Sequence, residues 1–341
     1  MRVLVTGGAG RVGNATTRRL LDNGWEVRVI GLEDGIDIPG AEFVKCDVLN
    51  YEALRQQMRG CQAVIHLAAI SSPVLAKGYQ VFDSNASGTF HVFEAASAEG
   101  VRRIAHASSI NAIGAVYSLT DFKAHYFPID EEHPTYTTDP YSFGKNVVEQ
   151  IGEYYWRRDG ISSVALRLPG VRVGGWQHKD DYQRQRDHSR SVIAQFAALS
   201  DDERAARIAE IQRTMLEVRR SKVLEYRDGP PDWRQARQGY DDLWAMYTFD
   251  RFNLWTVIDD RDAAQALEKG LTADYEGAHA LFVNDPHNTL GYDSRALVRL
   301  FFPDVSDSNV NLSGTQSLVS IEKARQLIGF EPAYSVGDLL S

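Results

Sequence analysis

Short runs of apolar residues alternate, along the first half of this chain, with longer stretches in which apolar positions recur every three or four residues. The short runs are Arg2 to Thr6, Glu26 to Ile30, Phe43 to Val48, Ala63 to Ala69, Arg103 to Ala107 and Ser163 to Arg167. Their length and near-continuous apolar character predict strands buried on both faces. Between them, Ala15 to Leu21, Tyr51 to Met58, the stretch led by Asn85 and closed by Gly100, and the stretch that follows Asp139 predict helices. Such an alternation predicts an α/β fold, a doubly wound and mainly parallel sheet with helices on both faces.

The second half reads differently. From Trp176 to Asp250 the chain is more charged than a sheet core requires. Within it, Ser200-Asp201-Asp202-Glu203 forms a capping box, Ile208, Ile211, Met215 and Val218 follow at helical spacing, and Gly229-Pro230-Pro231 supplies a stop. Trp233 to Tyr247 reads as a further aromatic-rich helical piece. A lid over a site, a subunit contact and a plain surface elaboration all suit this insertion. The cluster Asp260-Arg261-Asp262 suits a helix start, where Arg261 could meet an anion, and Ala280 to Val283 predicts a further strand. The division expected is a core over 1–173 and a smaller interleaved α/β substrate lobe over 174–341, with the helical insertion at about 176–250.

Composition narrows the partners. A chain of 341 residues with 43% hydrophobic content can build a sizeable core, and its net charge of -9 argues against nucleic acid or an anionic membrane. Small molecules are the better expectation. Cys46 and Cys61 have no metal-type spacing, so buried thiols are expected and no metal is. Met1-Arg2 runs directly into Val3-Leu4-Val5, and no later apolar run approaches the length of a membrane span, so the chain is expected to be soluble and cytoplasmic.

Candidate chemistry lies where the strands end. The first strand runs into Gly7-Gly8-Ala9-Gly10-Arg11-Val12-Gly13, a turn whose backbone N–H groups and helix N-terminus can meet a pyrophosphate. The position that normally decides the adenosine ribose is Gly31. Nearby Glu33 and Asp34 would repel a 2′-phosphate while Arg11 and Arg28 would attract one, so NAD is slightly preferred and NADP stays possible. Asp47, followed by Val48, could accept from an adenine amino group or cap the next helix. Small residues in Leu67-Ala68-Ala69 would let a flat ligand approach, and His66 within that strand reads as a satisfied core histidine. Tyr141 and Lys145 share a helix face behind Asp139 as cap and Pro140 in the first turn. A neighbouring ammonium favours the phenolate, so the pair could move a proton on and off an alcohol.

Taken together, Thr6-Gly7-x-x-Gly10-x-x-Gly13, Asp47-Val48, His66-Leu67-Ala68-Ala69, Asn85 with Gly88-Thr89, Ser108-Ser109 with Gly114, and Tyr141-x-x-x-Lys145 resemble an extended short-chain dehydrogenase/reductase of the NAD-dependent epimerase/dehydratase superfamily. The resemblance covers Met1 to about Val173 and implies a Rossmann core; further on, Leu254 to Ala264 resembles the family strand and helix that return the substrate lobe to the core, and Ser320 to Phe330 its closing helix and turn. It implies that Tyr141 is the base or acid, Lys145 its partner and a ribose ligand, and Ser109 the hydroxyl that orients the reacting oxygen. It further implies cofactor contacts at Gly7, Gly10, Arg11, Val12, Gly13, Glu33, Asp47, Val48, Leu67, Ala68, Ala69, Asn85, Tyr141, Lys145, Leu168, Pro169 and Val171. Substrate contacts are expected at Ser71, Ser109, Asn111 and Gly170. Departures sharpen this. Ile110-Asn111 stands where 4,6-dehydratases carry an Asp-Glu pair, which argues against dehydration. Gly170 occupies the likely place of an Asn that holds a nucleotide-sugar diphosphate, while Ser108 to Gly114 is similar to a segment of uronate dehydrogenases. The expectation is reversible hydride transfer on a free sugar or sugar acid, with a nucleotide-sugar 4-epimerase as the alternative and a non-catalytic dinucleotide sensor as the rival. By family analogy the protein is a homodimer.

Overall fold

Along the first strand, β1 (Arg2–Thr6), Val3 and Val5 face one way and Leu4 the other, and all three are buried, so helices cover both faces of the sheet. The computed structural model describes residues 1–232 and 236–339. α1 (Arg11–Asp22) lays Leu20 against the Val3 face. β2 (Glu26–Gly31) and β3 (Glu42–Lys45) follow, then α2 (Tyr51–Met58) brings Leu54 and Met58 to the Leu4 face. β4 (Ala63–His66), α3 (Gly78–Phe82), α4 (Gly88–Ala98), β5 (Arg103–Ser109), α5 (Pro140–Asp159) and β6 (Ser162–Leu168) continue the alternation. Phe93, Ile151 and Tyr155 join the second layer.

Beyond β6, the short strands β7 (Gly170–Arg172) and β8 (Val257–Asp259) pair in parallel as a separate two-stranded sheet. Between them run α6 (Asp180–Ala197), α7 (Asp201–Arg220) and α8 (Asp242–Thr248). Ile193 and Phe196, Ile208, Ile211 and Met215, and Trp244 and Tyr247 gather from these helices into one apolar cluster, which also takes Phe301 of a later helix. After α9 (Asp260–Thr272), β9 (Ala278–Phe282) completes the main sheet, seven parallel strands in the order β3-β2-β1-β4-β5-β6-β9. The chain reverses direction across the sheet between β1 and β4. Their carboxyl ends therefore open into a crevice.

Several elements differ from the sequence reading. β3 ends at Lys45, leaving Asp47 and Val48 in the loop beyond it. α7 has the expected capping box but stops at Arg220, well before Gly229-Pro230-Pro231, because Lys222 turns to a positive φ of 59°. α6 has no counterpart in that reading: its 18 residues are largely polar, and Ile193 and Phe196 are its buried apolar side chains. Of the helical piece expected over Trp233 to Tyr247, residues 233–235 lie outside the described residues and α8 starts at Asp242. The strand expected from Leu254 begins only at Val257, since Leu254 and Trp255 have φ of 57° and 48°. Arg261 is paired with Asp259 and lies over the Tyr334 ring.

Two local devices hold the site-bearing loops. Arg219, fully enclosed at the end of α7, donates from Nη1 to the carbonyls of Val116 and Ser118 and from Nη2 to that of Thr248. Gly114 has φ of 86°, and an added Cβ would overlap the Tyr136 carbonyl. Gly114→Ala is therefore expected to lower stability by about 2 kcal/mol or more. Gly24→Ala, where φ is also positive but nothing lies within 4 Å, should cost about 1 kcal/mol. Urea unfolding of the two variants measures the difference.

Candidate active site

The glycine turn after β1 is shaped by close contacts that only missing side chains permit. Gly7 has φ of 68°, and a Cβ there would stand 2.7 Å from the Ala68 N at the end of β4. One on Gly13 would overlap the Gly7 carbonyl. Gly10 caps α1 without a side-chain bond, and no acid occupies the first turn, so the free N–H groups and the positive end of the dipole face the crevice. The neighbouring floor is braced from below. Thr6 Oγ1 accepts from the N–H groups of Leu67 and Ala68, both at 3.1 Å, and bonds His66 Nδ1 at 2.7 Å. His66 Nε2 meets Thr89 Oγ1 at 3.0 Å. Burial first, and the charge of Lys145 second, lower the His66 pKa to about 3. His66 is thus a neutral core histidine.

A cavity of about 800 Å³ runs from this turn past the ends of β4, β5 and β6. It gathers Gly7, Gly10, Arg11, Val12, Gly13, Glu33, Asp47, Val48, Leu67, Ala68 and Ala69 with Leu168, Pro169, Gly170 and Val171. Ser71, Ser109, Asn111, Tyr141 and Lys145 line it as well. Asn85 does not. Its buried amide bonds the backbone N and O of Ile70 at 2.8 and 2.9 Å, so it shapes the wall from behind. Asp47 Oδ1 accepts from Leu49 N at 2.9 Å. Asn111 is partly a brace, taking Val116 N at 3.0 Å and giving its amide to Ser109 Oγ at 3.3 Å. Arg11 donates to the Val171 carbonyl and Arg28 to Glu42, so each cation weighed for a 2′-phosphate has a partner of its own. Glu33 faces the cavity.

α5 delivers the reactive pair as its sequence suggests. Asp139 caps it by accepting from Ser142 N at 2.9 Å, Pro140 opens it, and Gly160 ends it in the left-handed region. Tyr141 and Lys145 are nearly fully enclosed. Ser109 Oγ accepts from Asn111 N at 3.1 Å and stands near enough to Tyr141 to favour its phenolate, while Lys145 Nζ donates to the Ala107 carbonyl at 2.7 Å and stands 5.9 Å from the Tyr141 ring centroid. Burial raises the Tyr141 pKa above its ordinary value, and the influence of Ser109 only partly opposes it. The lowering by Lys145 expected from the sequence is not what prevails here, because desolvation of the phenolate outweighs the other influences. For Lys145, burial lowers the pKa to about 8, against an opposing pull from Glu149.

Sequence reasoning missed Tyr117, which lines the cavity with its ring edge-on to Tyr141 at 5.6 Å and its hydroxyl accepting from Ser72 Oγ at 3.1 Å. It lies in a loop with no periodicity to mark it. Asn253 and Thr256, also in the wall, flank the two residues of positive φ and were equally unmarked.

The turn, the switch in strand order and the paired tyrosine and lysine define a dinucleotide-binding α/β protein of the short-chain dehydrogenase/reductase type. Residues 3–203 match the model of the NAD dependent epimerase/dehydratase family, and the chain belongs to that family. Free backbone donors, missing side chains and small residues opposite them fit a dinucleotide. Over 169 residues the chain is 30% identical to a uronate dehydrogenase of Pseudomonas putida, a match that spans 49% of this chain and 60% of that one. It is 34% identical over 178 residues to an NAD-dependent glucose-6-phosphate dehydrogenase of Haloferax volcanii, spanning 49% and 67%. A UDP-glucose 4-epimerase of Streptomyces lividans is 32% identical over 184 residues, spanning 51% and 53%. In structure, a short-chain dehydrogenase/reductase superfamily protein from Agrobacterium tumefaciens with bound NAD superposes with a TM-score of 0.63 at 22% identity, over 100% of this chain and 95% of that one.

A lysine that is protonated to pH 10.5 when unfolded but only to about 8 when folded makes folding release a proton between those values. Its burial therefore costs stability fully below pH 8, by about 3 kcal/mol, and the cost fades as pH rises to 10.5. Lys145→Met should accordingly be the more stable protein in urea at pH 7, with the gap narrowing by pH 9.5.

Proposed function

We propose that this protein is an NAD-dependent oxidoreductase that acts on a hydroxyl or ketone of a sugar or sugar acid. The observation that carries the reading is the convergence of Ser109, Tyr141 and Lys145 on the cavity that the glycine turn opens into. A dinucleotide held here would supply hydride exchange with the substrate's carbinol carbon. Gly7, Gly10 and Gly13 with the α1 N-terminus would hold the pyrophosphate, Glu33 the adenosine ribose and Lys145 the other ribose. Ser109 would hold the reacting oxygen beside Tyr141 in the same wall of the cavity. With its pKa raised, Tyr141 is neutral at physiological pH and suited to give a proton to a ketone oxygen. Taking a proton from an alcohol is the reverse step, and the Lys145 ammonium would stabilise the phenolate that it requires. Asn111 and Ser71 remain as polar contacts for further hydroxyl groups.

Support for the substrate class comes from the relatives named above, two of which are dehydrogenases of uronate and glucose 6-phosphate. The intact trio speaks against a sensor without catalysis. A second reading, a nucleotide-sugar 4-epimerase, is favoured by one feature. A further cavity of about 410 Å³ adjoins the first through Arg11, Asn253 and Thr256, and Arg172, Lys179 and Arg186 line it beside Trp176 and Tyr182. Such a mixture of cations and aromatic rings suits a substrate with a phosphate and a base. Gly170 leaves open space where an Asn side chain would reach.

We also propose a homodimer through the outer faces of α4 and α5. Phe90, Phe143 and Tyr154 are exposed there, Phe90 against Tyr154 at 6.2 Å and Phe143 against Phe82 at 5.5 Å. An exposed aromatic patch of this kind suits a self-complementary contact.

Two measurements test these readings. Tyr141→Phe should lose at least about 100-fold in turnover while binding NAD as the wild type does, and wild-type turnover in that variant would remove Tyr141 from the mechanism. Mass spectrometry of dinucleotide released from the purified protein separates the two activities. NAD that stays bound favours the epimerase, and reversible binding with absorbance growth on uronates or aldoses favours the dehydrogenase. For assembly, sedimentation velocity should show a dimer that Phe90→Glu with Tyr154→Glu converts to monomer.

A further inference from the structure

Tyr141, Lys145 and Glu149 follow one another at intervals of four along α5, so one helix face carries all three. Glu149 points away from the cavity and into the sheet. Its carboxylate is gripped from two strands. Arg167 of β6 donates from Nε and Nη2 to its two oxygens, both at 2.9 Å, and Ser108 of β5 donates from Oγ at 2.6 Å. The ion pair is buried, with the side chains of Arg167 and Glu149 exposed by only 5% and 10%. Ser108 Oγ also approaches the Lys145 carbonyl at 3.4 Å, and the preceding residue of β5, Ala107, is the acceptor for Lys145 Nζ. A buried ion pair is costly to maintain and adds little to stability over apolar packing. Its place directly behind the lysine calls for another account.

We propose that Glu149 is the positioning residue of Lys145: its carboxylate, fixed by Arg167 and Ser108, keeps the buried ammonium charged and in register with Tyr141 and the end of β5. This rests on the reading of Lys145 as the partner of the phenol. The charges around Lys145 leave few other candidates. On α5 itself Tyr141 is neutral. His66 on β4 is neutral, and His106 on β5 is held neutral by burial. Arg167 on β6 is a cation that works against the ammonium, but two of its nitrogens are spent on Glu149. Its third, Nη1, is buried without a protein partner, and Arg167 and Glu149 both border a polar cavity of about 200 Å³ that Glu131 and Glu153 also line. Glu149 is thus the anion that offsets desolvation at Lys145.

The test reads the lysine directly, with neither substrate nor turnover, so its failure is distinct from a failure of the proposed activity. Protein labelled with ¹³C at lysine Cε is titrated by NMR, and the spectrum of Lys145→Met assigns the Lys145 resonance. The expected wild-type midpoint is about 8. In Glu149→Gln it should fall by about one pH unit or more, and Glu149→Asp, which keeps the charge, should restore most of the shift. A role as mere structural anchor would leave the midpoint of Glu149→Gln where the wild type has it, and that result overturns the proposal. Should Glu149→Gln fail to fold, the same anion is removed without leaving its cation unpaired: the Lys145 midpoint of Glu149→Met with Arg167→Met should lie below that of Arg167→Met alone, and equal midpoints in those two proteins are equally fatal.

Discussion

Keeping an ammonium charged where it is almost wholly enclosed is the constraint on which the rest of this structure depends. Lys145 is enclosed on a helix that lies flat on β5 and β6, and one of its three ammonium donors is taken by a carbonyl of β5. That contact is short, so α5 can stand no further off. Gly152, two turns along, shows how close the approach is, for a Cβ there would stand 2.8 Å from Ser163 Oγ on β6. The same closeness brings Glu149 to Arg167 and Ser108. Helix, strands and charges are therefore one device, and moving any part of it displaces the phenol that faces the cavity.

The rest of the fold brings a second component to that device. A parallel sheet whose strand order reverses between β1 and β4 opens a crevice at their carboxyl ends, and α1 points its N-terminus into it. Glycines at 7, 10 and 13 let the turn lie against β4 so that nothing stands between the backbone donors and a ligand. Tyr141 reaches the far end of the same cavity from the other side of the switch. The distance between the two is set by the sheet, which is stiff, and not by a loop.

Several features of the site run against local stability. A buried lysine, a tyrosine held off solvent, and the positive φ of Leu254 and Trp255 all cost free energy in the folded state. They cluster around the cavity, while the layers on either face of the sheet are conventional apolar packing. α6, α7 and α8 pack into one apolar cluster, and Arg219 fastens α7 to the loop that carries Tyr117. The helical insertion is thus joined to the wall of the site by hydrogen bonds to backbone that no substitution of the acceptor residues would remove.

How much of this was legible beforehand follows from what each element answers to. The strands, the glycine turn, α5 with its cap and the Tyr141 and Lys145 pair depend on local geometry: a buried strand needs a run of apolar residues, a tight turn needs glycine, and two side chains four apart on a helix share a face. Those requirements are written in neighbouring residues, and the sequence alone determined them. α6, the early end of α7, the left-handed backbone at Leu254 and Trp255, the withdrawal of Asn85 behind the wall and the entry of Tyr117 into it were not legible, because each is decided by a partner far along the chain. The direction of the Tyr141 pKa belongs to the same group. A sequence can place a lysine beside a tyrosine, but only the tertiary structure decides how much water both have lost, and desolvation is what prevails here.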